Sequence, residues 1–178
     1  MFLSNSQNEN VILVKEADQE IGIAEKMAVH KEGILHRAFS IFVFNSKEEL
    51  LLQQRAKSKY HSGGLWSNTC CSHPKPGESL TGACNRRLKE EMGLECELTE
   101  IFSFIYRAEV GDLIEHEVDH VFFGRTDCQP FPCLTEVGDW KWINLDELRR
   151  DVAINPDKYT YWLRISMNKL IPFIFPVK

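Results

Sequence analysis

Residues 38–44 alternate between two faces and are rich in aromatics, and residues 49–54 follow a polar turn at 45–48. This pattern predicts two strands joined as a hairpin. Residues 97–109 and 113–126 are longer β-rich runs parted only by Val110, Gly111 and Asp112, which predicts a second hairpin. Shorter strands are predicted at 11–15, before a polar turn at 18–22, and at 139–143. Helical spacing marks residues 79–92: Leu80, Cys84 and Leu88 make an apolar stripe, Ser79 suits the N-cap, and Gly93 suits the C-terminal stop. A further helix is predicted from Leu145 to Asp151, and Pro156 is placed to begin a last one that runs through Leu170. Strands outnumber helices and are mostly linked as hairpins, so the expected class is α/β in the α+β sense, a mixed sheet covered by helices. No repeat, low-complexity tract or linker interrupts the pattern. The chain therefore reads as a single domain over 1–178, with residues 1–24 an N-terminal extension carrying the first short strand.

The 178 residues suffice for one substantial core, and a hydrophobic content of 43% fits an ordinary globular protein. A net charge of −5 gives no overall attraction to nucleic acid or to an anionic membrane, so an anionic ligand needs a local basic cluster. The start of the chain lacks a basic stretch followed by a long apolar run, and no apolar run reaches the ~18 residues of a membrane span. A cytoplasmic location is expected by default. The six cysteines, at 70, 71, 84, 96, 128 and 133, show no Cys-x-x-Cys spacing and are expected as free thiols.

Candidate chemistry gathers in residues 66–94, WSNTCCSHPKPGESLTGACNRRLKEEMGL. If residues 67–73 are extended, Cys71 and His73 share one face and Cys70 and Ser72 the other. On the following helix Arg87 and Glu91 lie four apart beside the apolar stripe. Such a pair either closes as a salt bridge or presents a carboxylate to a metal. Glu115 and Glu117 share a strand face with His116 opposite, and two close carboxylates repel unless a cation lies between them. His30, His36 and His73 are imidazoles available to complete such a site, although each also suits a structural hydrogen bond.

The order Glu78, Arg86, Glu90, Glu91, Gly93 and Leu94 resembles the Nudix box, in which a loop and helix present glutamates to a metal bound to a diphosphate. Ser72 replaces its first glycine. Arg87 replaces the glutamate after the arginine, which weakens a reading as a Nudix hydrolase. With NTCCSHP ahead of it, the modified box is similar to that of the type I isopentenyl-diphosphate isomerases, and the resemblance runs from about residue 25 to 162. It implies a Nudix-type mixed β-sheet sandwich flanked by helices, and interconversion of isopentenyl and dimethylallyl diphosphate. By the same resemblance His30, His36, His73, Glu115 and Glu117 hold Mn²⁺ or Mg²⁺, with Zn²⁺ as an alternative, and Glu91 holds a Mg²⁺ that bridges the substrate diphosphate. Lys26, Arg55, Lys59 and Arg87 match the diphosphate-binding positions, and Trp162 matches a tryptophan that shields a carbocation. Cys71 and Glu117, the latter with Tyr106, match the acid-base groups. His61, His116 and His120 match no role. The rival readings are a Nudix hydrolase and a non-catalytic metal- or phosphate-binding domain.

Overall fold

The computed structural model describes residues 9–174, so residues 1–8 of the expected N-terminal extension lie outside it. The strands are β1 (Asn10–Val14), β2 (Glu20–Glu25), β3 (His36–Phe44), β4 (Glu49–Arg55), β5 (Trp66–Ser67), β6 (Cys70–Ser72), β7 (Leu98–Val110), β8 (Leu113–Arg125) and β9 (Val137–Asn144). The helices are α1 (Lys26–Glu32), α2 (Leu80–Met92), α3 (Leu145–Ile154) and α4 (Tyr161–Ile174). Among the described residues no helix is long and apolar enough to cross a membrane.

β3 is the central strand. One edge runs parallel to β8, from His36 opposite Glu117 to Phe44 opposite Arg125, while β7 pairs antiparallel with the far side of β8. The β7–β8 hairpin turns through Gly111 at φ 63, a left-handed conformation that glycine adopts without strain. The other edge of β3 meets β6, with Ser40 opposite Cys71.

The hairpin predicted between β3 and β4 exists only at its root. Asn45 closes the turn, its side-chain oxygen accepting from the Lys47 and Glu49 amides. Phe44 and Leu50 pair, and then the strands part, β4 leaving to pair with β9 and β5. The fork leaves backbone groups without a strand partner, and two buried side chains satisfy them. Thr69 Oγ1 accepts from the Val43 amide at 2.9 Å and donates to the Leu51 carbonyl at 2.7 Å, and Asn68 Nδ2 donates to the carbonyls of Ile41 and Cys70. These residues also break the predicted continuous strand at 67–73 into β5 and β6.

Alternation along β3 divides the core. Phe39, Ile41 and Val43 pack with Cys70 under Ala83, Cys84, Leu88 and Met92 of α2, and Phe42 and Phe44 pack under Leu163, Met167 and Leu170 of α4. Burying each such large side chain contributes about 1.5–3 kcal/mol. Ser79 caps α2 by accepting from the Gly82 amide, and Gly93 ends it at φ 64, as its sequence signals predict. Pro156 opens a single 3-10 turn, Pro156–Lys158, rather than the last helix. Tyr159 bridges Trp66 of β5 and the Thr160 amide donates to the Trp66 carbonyl, which holds this stretch extended, so α4 begins at Tyr161.

Candidate active site

Helix α1 is absent from the sequence prediction. Its cap is Glu25, whose carboxylate accepts from the Met27 and Ala28 amides, and Gly33 ends it at φ 65. The helix places His30, which is fully buried, beside His36 at the start of β3. His30 Nδ1–H donates to the Lys26 carbonyl at 2.7 Å and His36 Nδ1–H to the Ile34 carbonyl at 2.9 Å, so both rings turn Nε2 inward. His73 follows β6 and brings its Nε2 to 3.2 Å from that of His36 and 3.0 Å from Glu117 Oε1. His36 Nε2 lies 3.5 Å from the same carboxylate oxygen, and His30 Nε2 lies 3.2 Å from Glu115 Oε2.

The five residues implied as metal ligands are thus brought together. His30, His36, His73 and Glu117 present donor atoms within 4.8 Å of one another, and Glu115 joins through His30. His30 Nε2 has no hydrogen-bond partner among the described residues, and the lone pair of His36 Nε2 is aimed at another ring nitrogen. A cation between these atoms relieves both conditions, so the donor set is compatible with a divalent metal.

Burial and the nearby Glu117 push the Glu115 carboxyl up, but the imidazoles of His30 and His61 at its two oxygens outweigh them and hold it low. Burial acts likewise on Glu117, where His36 and His73 hold the carboxyl well below the usual carboxylate range. Burial pushes His73 down to about 3. Glu117 Oε2 accepts from the Tyr106 hydroxyl at 2.6 Å, and the phenol, buried beside this carboxylate, is pushed well up.

A cavity of about 910 Å³ opens over this cluster, and Cys71, Tyr106, Glu117 and Trp162 line it. Cys71 is half-buried in its wall, and burial pushes the thiol up to about 12 against the lowering influence of Arg55. Cys70 points away into the core under α2, the alternation predicted from sequence. Trp162 is buried. Its indole N–H donates to Ser67 Oγ at 2.8 Å, and the Arg55 guanidinium lies over its ring at 5.3 Å.

Lys26, Arg55, Lys59 and Arg87 all reach the same cavity. Three of them hold carboxylates: Lys26 pairs with Glu9 at 3.1 Å, Lys59 with Glu136, and Arg87 with Glu90 at 2.7 Å and Glu91 at 2.5 Å. Glu91 is buried and also accepts from Gln53 Nε2 at 2.9 Å. By contrast Glu78 binds Arg86 through both oxygens and accepts from the Lys75 amide. Those hydrogen bonds draw Glu78 down to about 2, and the pair clips the turn at 74–77 to α2.

Sequence reasoning passed over two residues here. Asp119 continues the Glu115 and Glu117 alternation and is buried, with Ser40 Oγ donating to it at 2.9 Å. Burial, and then the charge of Glu117, pushes its carboxyl well up. Strand alternation alone marks this position. His61, which matched no role, brings Nε2 to 2.8 Å from Glu115 Oε1, and no spacing rule marks a loop histidine of this kind. His116 binds the Gly33 carbonyl, and His120 lies between Asp18 and Glu100, so neither joins the cluster.

The NUDIX domain family matches residues 34–163. Isopentenyl-diphosphate Delta-isomerase 2 of Aromatoleum aromaticum is 56% identical over 164 residues, 92% of this chain and 87% of that protein. The chain belongs to the isopentenyl-diphosphate Delta-isomerase family. Another of these isomerases, from Burkholderia multivorans, is 52% identical over 90% of this chain and 92% of its own. The isomerase fold is that of Nudix proteins more widely. A Deinococcus radiodurans protein of known structure superposes with a TM-score of 0.77 at 19% identity, covering 90% of this chain and 98% of its own. The MutT protein of Methanosarcina mazei gives 0.66 at 18% identity, over 79% and 96%. Likeness at this level shows the fold alone, and membership of the isomerase family rests on the sequence relatives.

Proposed function

We propose that this enzyme interconverts isopentenyl diphosphate and dimethylallyl diphosphate by metal-dependent proton addition and removal through a tertiary carbocation. The observation that carries the reading is the shared cavity. Cys71 and the Glu117–Tyr106 pair line the same walls as four cations and a buried indole. The cations suit a diphosphate, with Arg87 exchanging its carboxylate partner for a phosphate oxygen. Trp162 presents an electron-rich ring to positive charge, as it already does to Arg55.

In the forward direction Glu117, once protonated against the hold of His36 and His73 and hydrogen-bonded to Tyr106, delivers a proton to C4, and the positive charge forms at C3. Cys71, once it has given up its own proton against the pull of burial, then takes a proton from C2 as its thiolate, and the C–H electron pair becomes the new C2–C3 double bond. In the reverse direction the roles exchange, and the proton that burial keeps on the Cys71 thiol suits it as donor to C2. Substrate filling the cavity would displace water from around the cation. His30, His36, His73, Glu115 and Glu117 would hold Mn²⁺ or Mg²⁺, with Zn²⁺ as the alternative, and Glu91 would hold Mg²⁺ against the diphosphate. When bound, such ions would supply positive charge to the carboxylates and phosphates that hold them.

Turnover in D₂O tests the reading. Carbon-bound deuterium in the C5 product, dependent on Cys71 and on divalent metal and without phosphate or pyrophosphate release, is the expected result. Phosphate release at enzymatic rates with no carbon-bound deuterium would instead assign the site to hydrolysis.

A further inference from the structure

His61 stands outside both the five metal donors and the four cations, yet it makes one of the closest contacts in the cluster. The loop between β4 and β5 carries it, and Arg55 fixes its backbone by donating to the His61 carbonyl at 3.2 Å. The side chain is 7% exposed, and its ring stands edge-on to Trp162 at 5.8 Å. Nδ1 lies 3.4 Å from the Ser62 hydroxyl, a group able to donate to it, which leaves the single N–H of a neutral ring on Nε2. That N–H points at Glu115 Oε1, 2.8 Å away, while Glu115 Oε2 lies 3.2 Å from the inward-facing Nε2 of His30. One imidazole therefore stands at each oxygen of the carboxylate; that of His30 also meets His36, His73 and Glu117, whereas that of His61 groups only with His30 and Glu115.

We infer that His61 is a positioning residue. By donating to Oε1 it withdraws that oxygen from coordination, so that Glu115 binds the ion through Oε2 alone. Without it Glu115 is free to turn and bind through both oxygens, and the ion's geometry changes. The inference rests on the metal reading given above. It adds a residue that sets how a ligand coordinates, in the way that hydrogen bonds behind metal ligands commonly do.

Two substitutions separate the N–H from the ring. His61→Phe keeps a ring against Trp162 and removes the donor, whereas His61→Gln places an amide N–H near the position of Nε2 and removes the ring. Mn²⁺ alone is the probe, titrated into chelator-treated full-length protein and read by electron paramagnetic resonance, with near-ultraviolet circular dichroism as the check on folding. His61→Phe is expected to weaken Mn²⁺ binding about 10- to 100-fold and to alter the spectrum of the bound ion. His61→Gln is expected to restore the wild-type spectrum and to bind within a few-fold of wild type. Unchanged binding in His61→Phe, or an equal loss in both folded variants, overturns the inference and leaves the metal reading standing. Wild-type protein that binds no Mn²⁺ sensitive to His36→Ala overturns both.

Discussion

Cys70 and Cys71 are adjacent on β6 and live in different surroundings. Cys70 is fully buried among Phe39, Ile41 and Leu88, whereas Cys71 is at the cavity wall near Tyr106 and Trp162. Cys71→Ala is expected to lower isomerisation by several orders of magnitude in a folded protein. Cys70→Ala is expected to keep most of the activity and to lose about 1 kcal/mol of stability through the small cavity it leaves. Steady-state assays beside urea melts check both, and comparable activity losses would show that the face assignment does not govern function. This contrast was legible in the sequence, because a strand's two-residue period needs no knowledge of its neighbours. The same period run two steps beyond Glu117 reaches Asp119, so that carboxyl was legible too. His61 was not, since its place beside Glu115 depends on the course of a loop between two strands.

At the scale of elements, the fork between β3 and β4 admits β6, which carries Cys71, and Asn68 and Thr69 hold it open by serving as backbone partners. Thr69→Val preserves shape and removes the hydroxyl, leaving the Val43 amide and the Leu51 carbonyl unsatisfied in the core. The expected loss is on the order of 2–4 kcal/mol, measured by urea denaturation, since each buried group left without a partner costs roughly 1–3 kcal/mol. A loss below about 0.5 kcal/mol would mean that the fork is held elsewhere. The turn at Asn45 and the runs on either side of it were readable from sequence, but the parting of the strands was not, because it depends on β6 and β5 taking the facing edges of β3 and β4. Helix α1 escaped for a local reason. It has seven residues, and a glutamate stands at its cap where serine, threonine, asparagine or aspartate is the usual signal. Helix α2 carries both customary end signals and was readable over its whole length.

Across the whole molecule, the cluster of histidines and glutamates joins α1, β3, β8 and the segment after β6, so an ion bound there would tie these elements together. Mn²⁺ at about 100 times its Kd is expected to add roughly 2.7 kcal/mol, which raises the melting temperature on the order of 5–10 °C above that of chelator-treated protein. His36→Ala is expected to abolish the rise, and calorimetry on the two proteins with and without metal checks it. An equal rise in the variant would place the stabilising ion at another site. The parallel pairing of β3 with β8 also fixes an order of events during synthesis. It brings Ser40 against Asp119, 79 residues later in the chain, and distant pairings of this kind close slowly. His30 and His36 leave the ribosome well before Glu115 and Glu117, so the nascent chain has no complete place for an ion until β8 has emerged and docked. An ion taken up at this site would be captured as one of the last acts of folding, and its binding would serve as a clock for the arrival of the native state.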